Sequence, residues 1–314
     1  MSNDTPPIAV NWHLEAYCNY GCSFCYAPLT EQRLMPRLSE EEGASMIEDL
    51  SSSGVEKINF VGGEPMLHPH LEAWIVAAKS CGLTTSIVSN GTRMTENWLI
   101  RMRPYLDYLG LSIDASNDEM HALMGRGLKG EITSGVSRHL ECSKKVWQIA
   151  RGLGYGLKLN TVVTSVNVDD DMSELVANLK PHRWKVFRVL RIEGENDGRV
   201  EPLLIYQEQF EEYMVRHRRS LQDLEGTQIV SEDNEDMLGT YAMIDPQGMV
   251  YTNMQGRYLY SKQSAVEIGF SASWEQVMKG FSKVGFEGRG GLWEWSRHSS
   301  TLSLPVINQE GGLP

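Results

Sequence analysis

The stretch "IAVNWHLEAYCNYGCSFC", residues 8–25, joins a strand-like run to three of the chain's five cysteines. Cys18, Cys22 and Cys25 follow that run directly and have the spacing CxxxCxxC. A structural zinc site usually has four ligands in two spaced pairs, and no second pair follows. A thioredoxin-like CxxC pair leaves Cys18 without a role. Three thiolates suit a 4Fe-4S cluster whose fourth iron is open to a small chelating ligand.

Around this stretch, short β-rich runs alternate with helical patterns over the first two-thirds of the 314 residues. The patterns predict strands at 8–14, 56–62, 84–90, 107–114, 156–163 and 183–190. They predict helices at about 39–53, 70–81, 95–104, 131–151, 170–179 and 206–224. This alternation indicates parallel βαβ units with right-handed crossovers. Residues 238–253 then read as a hairpin that turns at Pro246–Gly248.

Five of these strands carry polar residues two positions apart, which therefore share one face. The pairs are Asn11 and His13, Lys57 and Asn59, Ser112 and Asp114, Lys158 and Asn160, and Arg183 and Lys185. Scattered lysines that snorkel to solvent are the simpler explanation. Five strands flanked by helices favour a shared polar interior, so we predict a partial (βα)6 TIM-like barrel. We expect the barrel over residues 1–225 and a C-terminal extension over 226–314, with the hairpin, a lid loop and a loosely held tail.

Composition limits the classes of partner. The net charge of −12, from 29 Lys and Arg against 41 Asp and Glu, argues against nonspecific binding to nucleic acid or anionic lipid. No apolar run reaches the roughly 18 to 20 residues of a membrane span, and the first residues lack a secretory signal pattern. We therefore expect a cytoplasmic protein, in which an anionic ligand needs a local concentration of Lys and Arg.

The spacing of the cysteines, with Phe24 before the last one, resembles the radical S-adenosylmethionine (SAM) superfamily. Three further motifs follow at predicted strand ends: "GGEP" (62–65), "SNG" (89–91) and "LSID" (111–114). Each turn alone is weak evidence, whereas the ordered set is specific. The resemblance implies a 4Fe-4S cluster held by Cys18, Cys22 and Cys25, with SAM bound to the fourth iron. It implies SAM contacts from Phe24, Gly63, Glu64, Asn90, Ser112, Arg126 and Asn160.

A longer set of segments resembles the viperin family of radical SAM enzymes over about residues 8–295. The segments include "VNWHL", "EKINFVGGEP", "SIVSNG", "GRG" (125–127), "KLNTVV", "DDDM", "RWKVF", "IEGEN" and "RGG" (289–291). Animal viperins carry an N-terminal amphipathic membrane helix, which has no counterpart here. They also end on a Trp used for cluster delivery, whereas "WEW" (293–295) is followed here by nineteen residues. The resemblance therefore implies a viperin-like enzyme of prokaryotic type without a membrane anchor.

Viperins dehydrate a ribonucleoside triphosphate, and the resemblance implies the same reaction here. One electron from a donor such as flavodoxin or ferredoxin cleaves SAM, and the 5′-deoxyadenosyl radical removes the 4′ hydrogen of CTP, UTP or GTP. Loss of the 3′ hydroxyl as water, with one more electron and a proton, gives a 3′-deoxy-3′,4′-didehydro nucleotide. This product terminates viral or phage RNA synthesis. The nucleotide and the electron donor are the expected partners, with no nucleic acid and no membrane.

The same resemblance and the polar interior predict the substrate site. The expected phosphate-binding cations are Lys57, Lys158, Arg183, Lys185 and Arg289, the last in a lid that closes over the phosphates. Asn11 and His13 precede the cysteine loop and are expected to orient the ribose or the base. Tyr241 resembles a viperin tyrosine near the ribose, which predicts a donor of hydrogen or a proton. A buried histidine or tyrosine is otherwise an ordinary core residue.

Two other functions fit parts of the sequence. Radical SAM enzymes that modify peptides usually carry a Cys-rich C-terminal extension for additional clusters, whereas no Cys follows Cys142 here. A metal-stabilised interaction protein that sequesters viral partners requires neither the inward basic residues nor the GGEP turn. Both features are present, which favours the nucleotide dehydratase.

Overall fold

A computed structural model describes residues 6–27 and 34–291, whose strands form a single mixed sheet. The strands are β1 (Ala9–Glu15), β2 (Lys57–Gly62), β3 (Thr84–Ser89), β4 (Tyr108–Ser112), β5 (Gly156–Val163), β6 (Arg183–Arg188), β7 (Gln228–Glu232), β8 (Met243–Ile244), β9 (Val250–Met254) and β10 (Arg257–Tyr260). The six strands predicted from sequence are confirmed, and so is the hairpin, since β8 and β9 pair antiparallel. The sequence reading missed β7 and β10.

Helices alternate with the first seven strands and continue after them. They are α1 (Glu40–Ser52), α2 (Leu71–Ser80), α3 (Glu96–Met102), α4 (Asp118–Leu123), α5 (Lys129–Thr133), α6 (His139–Gly152), α7 (Ser173–Leu179), α8 (Gln207–Ser220), α9 (Asn234–Met237), α10 (Ala265–Ile268), α11 (Phe270–Glu275) and α12 (Lys283–Gly288). No helix in the described ranges is both long and apolar enough to cross a membrane.

The order of the sheet is β10-β9-β8-β1-β2-β3-β4-β5-β6-β7. Strands β1 to β7 are parallel, and β8 adds to β1 in the same direction. The edge strands β7 and β10 do not pair, so hydrogen bonds do not close the sheet into a full barrel. The partial barrel predicted from the alternation of strands and helices is thus confirmed. The boundary at 225/226 stays a prediction, and β7 and β8 lie beyond it in the same sheet.

On each of the strands with a polar pair, the apolar residue between the two polar residues points to the opposite face. These apolar residues form the core between the sheet and the helices. Trp12, Ile58 and Trp184 are fully buried, and the Trp12 ring stacks on Trp74 of α2 with centroids 4.4 Å apart. Truncating such a buried aromatic side chain typically costs about 3–5 kcal/mol of folding free energy. The outward face of the strands therefore anchors the helices and leaves the opposite face for the polar residues.

The predicted helix over 131–151 is wrong in its first part. Helix α5 ends at Thr133, Gly135 has a left-handed φ of 69°, and α6 begins at His139. The break is stabilised by Ser137, whose hydroxyl donates to the Arg126 carbonyl at 2.8 Å. A contact distant in sequence therefore overrides the local helical pattern, and it brings the start of α6 to the carboxyl end of the sheet.

Candidate active site

The polar face of the sheet lines a cavity of about 290 Å³. It collects all the residues predicted to bind substrate or to act in catalysis, namely Asn11, His13, Lys57, Lys158, Arg183, Lys185, Tyr241 and Arg289. Phe24, Cys25, Ser112 and Asn160 line the same cavity. The placement of these residues agrees with the two-residue spacing seen in the sequence, while their roles stay predictions.

The strand register gives the cavity two ends. Lys57 and Arg183 are the first residues of β2 and β6, whereas the cysteine loop follows the last residue of β1. Lys158 lies beside Arg183 in the register between β5 and β6. We call the amino ends of these strands, with Lys57, Lys158 and Arg183, the cationic end of the cavity, and the end beside the cysteine loop the cluster end. At about 3.3 Å per residue, a six-residue strand such as β2 separates the two ends by roughly 17–20 Å.

The cysteine loop is packed directly on the GGEP turn. The Gly63 amide donates to the Glu15 carbonyl at 2.6 Å, and the Glu64 amide donates to the Tyr17 carbonyl at 2.9 Å. A Cβ atom on Gly63 would lie 2.4 Å from the Tyr17 carbonyl oxygen, so only glycine permits this approach. The two motifs recognised in the sequence thus form one backbone-bonded unit.

The chemistry of the three thiols fits an iron–sulfur cluster. Cys18, Cys22 and Cys25 are all free thiols and lie within one stretch of eight residues. Within residues 6–27 and 34–291, no three His, Cys, Asp or Glu side chains converge on a position for one metal ion. A 4Fe-4S cluster has no such requirement, because each of its thiolates binds a different iron. The donor set therefore fits the cluster better than a single-ion zinc site.

The carboxylate of Glu64 joins the ends of β2 and β3. It is 1% exposed and accepts hydrogen bonds from the Ser89 hydroxyl at 2.7 Å and the Asn90 amide at 2.9 Å. Burial raises the pKa of Glu64 to about 7, against the effect of these bonds. The Asn90 side-chain amide in turn donates to the side-chain oxygen of Asn19, in the cysteine loop, at 2.8 Å. GGEP, SNG and the cysteine loop thus meet at one place.

The other predicted SAM contacts lie nearby. Ser112 and Asn160 are register partners on β4 and β5, and the Asn160 side-chain oxygen has no hydrogen-bond partner in the described part of the chain. The Arg126 guanidinium lies 5.2 Å from the Phe24 ring centroid and forms an ion pair with the buried Asp114. A contact between Arg126 and SAM, as predicted, has to coexist with this ion pair.

Two lysines face an aromatic ring at the cationic end. The Nζ atoms of Lys57 and Lys158 lie 4.8 Å and 5.8 Å from the centroid of the Tyr108 ring. Lys158 also donates to the Ser86 hydroxyl at 2.7 Å. Burial, assisted by the neighbouring Arg183 and Lys185, lowers the pKa of Lys57 to about 7. Burial also holds the pKa of Lys158 well below its ordinary value, so charging either lysine side chain is costly in this position.

Glu232, the last residue of β7, contacts three of the predicted site residues but was not itself predicted from the sequence. It is fully buried, forms ion pairs with Lys185 and Arg289, and accepts a hydrogen bond from the Tyr241 hydroxyl. Burial pushes its pKa up, but Lys185 and Arg289 outweigh this and hold it below its ordinary value. The β-branched pair Ile229 and Val230 was the signal for β7, although the strand is short and flanked by charged residues.

The predicted lid residue Arg289 already contacts the cavity. Its guanidinium donates to the Thr240 carbonyl at 2.7 Å and lies 3.8 Å from the centroid of the Tyr241 ring. The Arg183 guanidinium donates to the Gly290 carbonyl at 3.0 Å. These contacts bring the end of α12 against β6 and β7, whereas the "WEW" segment lies outside the described residues.

Asn11 and His13 lie on the inner face of β1. The Asn59 amide donates to the Asn11 side-chain oxygen at 3.0 Å. His13 is 8% exposed, and its Nδ1 has no hydrogen-bond partner among residues the structure describes. Burial lowers its pKa to about 3, so the imidazole is neutral. Both side chains offer uncharged polar atoms to the cavity.

This geometry agrees with comparisons to known proteins. The sequence matches the Radical SAM superfamily over residues 16–179, a range that contains the cysteine loop and the GGEP, SNG and LSID turns. The chain is therefore a radical SAM enzyme, a class that uses a 4Fe-4S cluster and SAM. Among solved structures, SuiB of Streptococcus suis bound to SAM matches with a TM-score of 0.66 over 90% of this chain and 68% of SuiB. At 14% identity that likeness shows the fold alone.

Closer relatives define the family. A Flammeovirga pacifica protein named S-adenosylmethionine-dependent nucleotide dehydratase is 35% identical over 291 residues, covering 91% of this chain and 96% of the relative. A Danio rerio protein named S-adenosylmethionine-dependent nucleotide dehydratase RSAD2 is 34% identical over 310 residues, covering 95% and 81%. The chain belongs to the family of S-adenosylmethionine-dependent nucleotide dehydratases, and the viperin resemblance is confirmed.

Proposed function

We propose that this enzyme dehydrates a ribonucleoside triphosphate, CTP, UTP or GTP, to its 3′-deoxy-3′,4′-didehydro derivative. The observation that carries this proposal is the convergence of five cationic side chains on one cavity. They are Lys57, Lys158, Arg183, Lys185 and Arg289. The chain as a whole carries a net charge of −12, so this positive cavity is a local exception that suits a polyanion.

The charges of the cavity fit a triphosphate better than an uncharged substrate. Glu232 offsets Lys185 and Arg289 in part, while burial and mutual repulsion lower the pKa of Lys57 and Lys158. An entering polyanion relieves that repulsion and forms charge-assisted hydrogen bonds with the same groups. The triphosphate therefore gains contacts that a neutral nucleoside does not.

In this proposal the ribose lies between the phosphates, which the basic side chains hold, and the cofactor beside the cysteine loop. Cys18, Cys22 and Cys25 would hold the cluster, and the bound cluster and SAM would supply the radical chemistry that removes the 4′ hydrogen. Asn11 and the neutral His13 are placed to hold the ribose or base by uncharged hydrogen bonds, which fixes one hydrogen at reacting distance. Tyr241, beside Lys185 and Glu232, is placed to give a hydrogen or a proton during loss of the 3′ hydroxyl.

We also propose an antiviral or anti-phage role in the cytoplasm. A nucleotide without a 3′ hydroxyl terminates RNA chains, which suits such a role. The reducing electrons come from a small donor such as flavodoxin or ferredoxin.

One experiment tests the reaction. The reconstituted, reduced enzyme is incubated with SAM and each of CTP, UTP, GTP and ATP, and the products are examined by mass spectrometry. We expect one triphosphate to lose one water and to accelerate the formation of 5′-deoxyadenosine. SAM cleavage that stays equally slow with all four triphosphates, with no dehydrated product, contradicts the proposal.

A further inference from the structure

A histidine outside the cavity connects the cysteine loop to the sheet. His139, the first residue of α6, is 1% exposed, and its two ring nitrogens make hydrogen bonds in different directions. Its Nε2 lies 2.6 Å from the Ser112 carbonyl oxygen at the end of β4. The Ser143 hydroxyl also lies 3.5 Å from Nε2. The Nδ1 of His139 lies 3.0 Å from the Tyr20 hydroxyl, in the loop between Cys18 and Cys22. One ring thus contacts both the predicted SAM strand and the predicted cluster loop.

The hydrogen-bond network assigns a single tautomer to this ring. Burial, together with His121 and Arg126, holds the pKa of His139 well below its ordinary value, so the imidazole is neutral. The Ser112 carbonyl can only accept, and Nε2 therefore carries the hydrogen. Nδ1 is left as the acceptor, and the Tyr20 hydroxyl is its donor. The link between Ser112 and Tyr20 consequently has a fixed direction and satisfies both ring nitrogens.

Tyr20 also contacts one predicted cluster ligand, Cys18, through its backbone. Its amide donates to the Cys18 sulfur at 3.4 Å, and its main chain forms an isolated bridge with Leu128. The Ser23 amide donates to the Met124 carbonyl at 3.1 Å. The segment between α4 and α6 thus holds the loop from one side, and the His139 ring fixes the side chain of Tyr20.

We propose that His139 is a positioning residue of the iron–sulfur site. By holding Tyr20 relative to Ser112, it keeps the Tyr20 amide directed at the Cys18 sulfur. Hydrogen bonds to ligand sulfurs help set the potential of a cluster, since they stabilise its more negative, reduced form. The inference depends on the cluster that the superfamily uses and does not depend on the identity of the nucleotide substrate.

The test is a potentiometric titration of the reconstituted cluster, followed by electron paramagnetic resonance without nucleotide. Y20F removes only the phenolic oxygen, and H139F removes both ring nitrogens, whereas H139Q offers an amide donor and an amide acceptor in their place. Y20F and H139F should shift the midpoint potential to more negative values and change the g-values in the same sense, and H139Q should shift it less. Y20F combined with H139F should shift it no further than H139F alone, because both changes break one link. H139F should also bind SAM about fivefold more weakly, since the Ser112 contact is lost.

A matched control separates positioning from general destabilisation. The Nδ1 of His182 accepts from the Leu157 amide at 3.0 Å, just before β6 and at the opposite end of the sheet. H182Q should lower the unfolding midpoint and leave the potential unchanged. Loss of the cluster from both Y20F and H139F, with retention in H182Q, also supports the proposal. Wild-type potentials and g-values in Y20F and H139F overturn it, as does an equal shift in H182Q. If H139F does not fold, Y20F decides the result.

Discussion

The two ends of the cavity hold their polar groups in opposite ways. At the cluster end, Glu64 accepts hydrogen bonds from Ser89 and Asn90, and the Asn90 side chain donates to Asn19. The GGEP turn, the SNG turn and the cysteine loop are thus joined by hydrogen bonds. At the cationic end, Lys57 and Lys158 face the Tyr108 ring with their pKa values depressed by burial. The first end is organised by the protein's own hydrogen bonds. The second stores repulsion that an anionic ligand relieves, and the two ends should therefore respond differently to substitution.

The largest effect should come from breaking the cluster end alone. We expect C22S to lose most of its iron and its reductive SAM cleavage, a loss beyond the roughly 10- to 100-fold typical of changes outside the ligand shell. Triphosphate binding should stay within about twofold of wild type, because none of the cations proposed to bind phosphate is altered. Iron analysis and calorimetry with CTP measure the two quantities. A parallel loss of CTP binding would show that the ends are not separable.

The converse change removes charge from the cationic end. We expect K158A and R183A to bind triphosphate about 10- to 100-fold more weakly, as each loses a charge-assisted hydrogen bond in a buried site. Both should retain about four irons per chain after reconstitution. R257A is the matched control, because Arg257 forms an exposed ion pair with Glu193. Loss of iron from K158A or R183A would contradict the separation of the two ends.

The two ends also differ in how much of them the sequence predicts. GGEP, SNG and CxxxCxxC are contiguous motifs, so they are readable without knowledge of the fold. The inward lysines and arginines were predictable because side chains alternate along a strand, which fixes their face once the strands are recognised. Glu232 was not, because its position follows from the pairing of β7 with β6, a contact between segments distant in sequence. The contacts of His139 could not be predicted for the same reason, because they depend on the break between α5 and α6.

The pH dependence of triphosphate binding sharpens the contrast further. Burial lowers the pKa of Lys57 to about 7 and that of Lys185 to about 8, so both lose charge as the pH rises through these values. Affinity should therefore fall by about three- to tenfold between pH 7.5 and pH 9, where the triphosphate itself stays fully ionised. Arg183 and Arg289 remain charged and preserve the residual binding.

Calorimetry across this range, with K57M as the comparison, measures the effect. K57M should bind more weakly at pH 7.5 and show a flatter decline, because one of the titrating groups is gone. Binding that strengthens with pH, or an unchanged slope in K57M, contradicts the assignment. The cluster end provides the internal control, since the iron content should not vary over this range.

The smallest effect is expected for Y241F, which tests the group between the two ends. The Tyr241 hydroxyl donates to Glu232, while its ring faces Arg289 at 3.8 Å. Removing the hydroxyl should lower the free energy of unfolding by about 1 kcal/mol and change triphosphate affinity by no more than about twofold, because Glu232 keeps its ion pairs with Lys185 and Arg289. If Tyr241 gives a hydrogen or a proton, the dehydrated product formed per SAM cleaved should fall as well. If the product formed per SAM cleaved is unchanged while stability falls, Tyr241 only orients Glu232. The hydrogen or proton then comes from another group in the cavity.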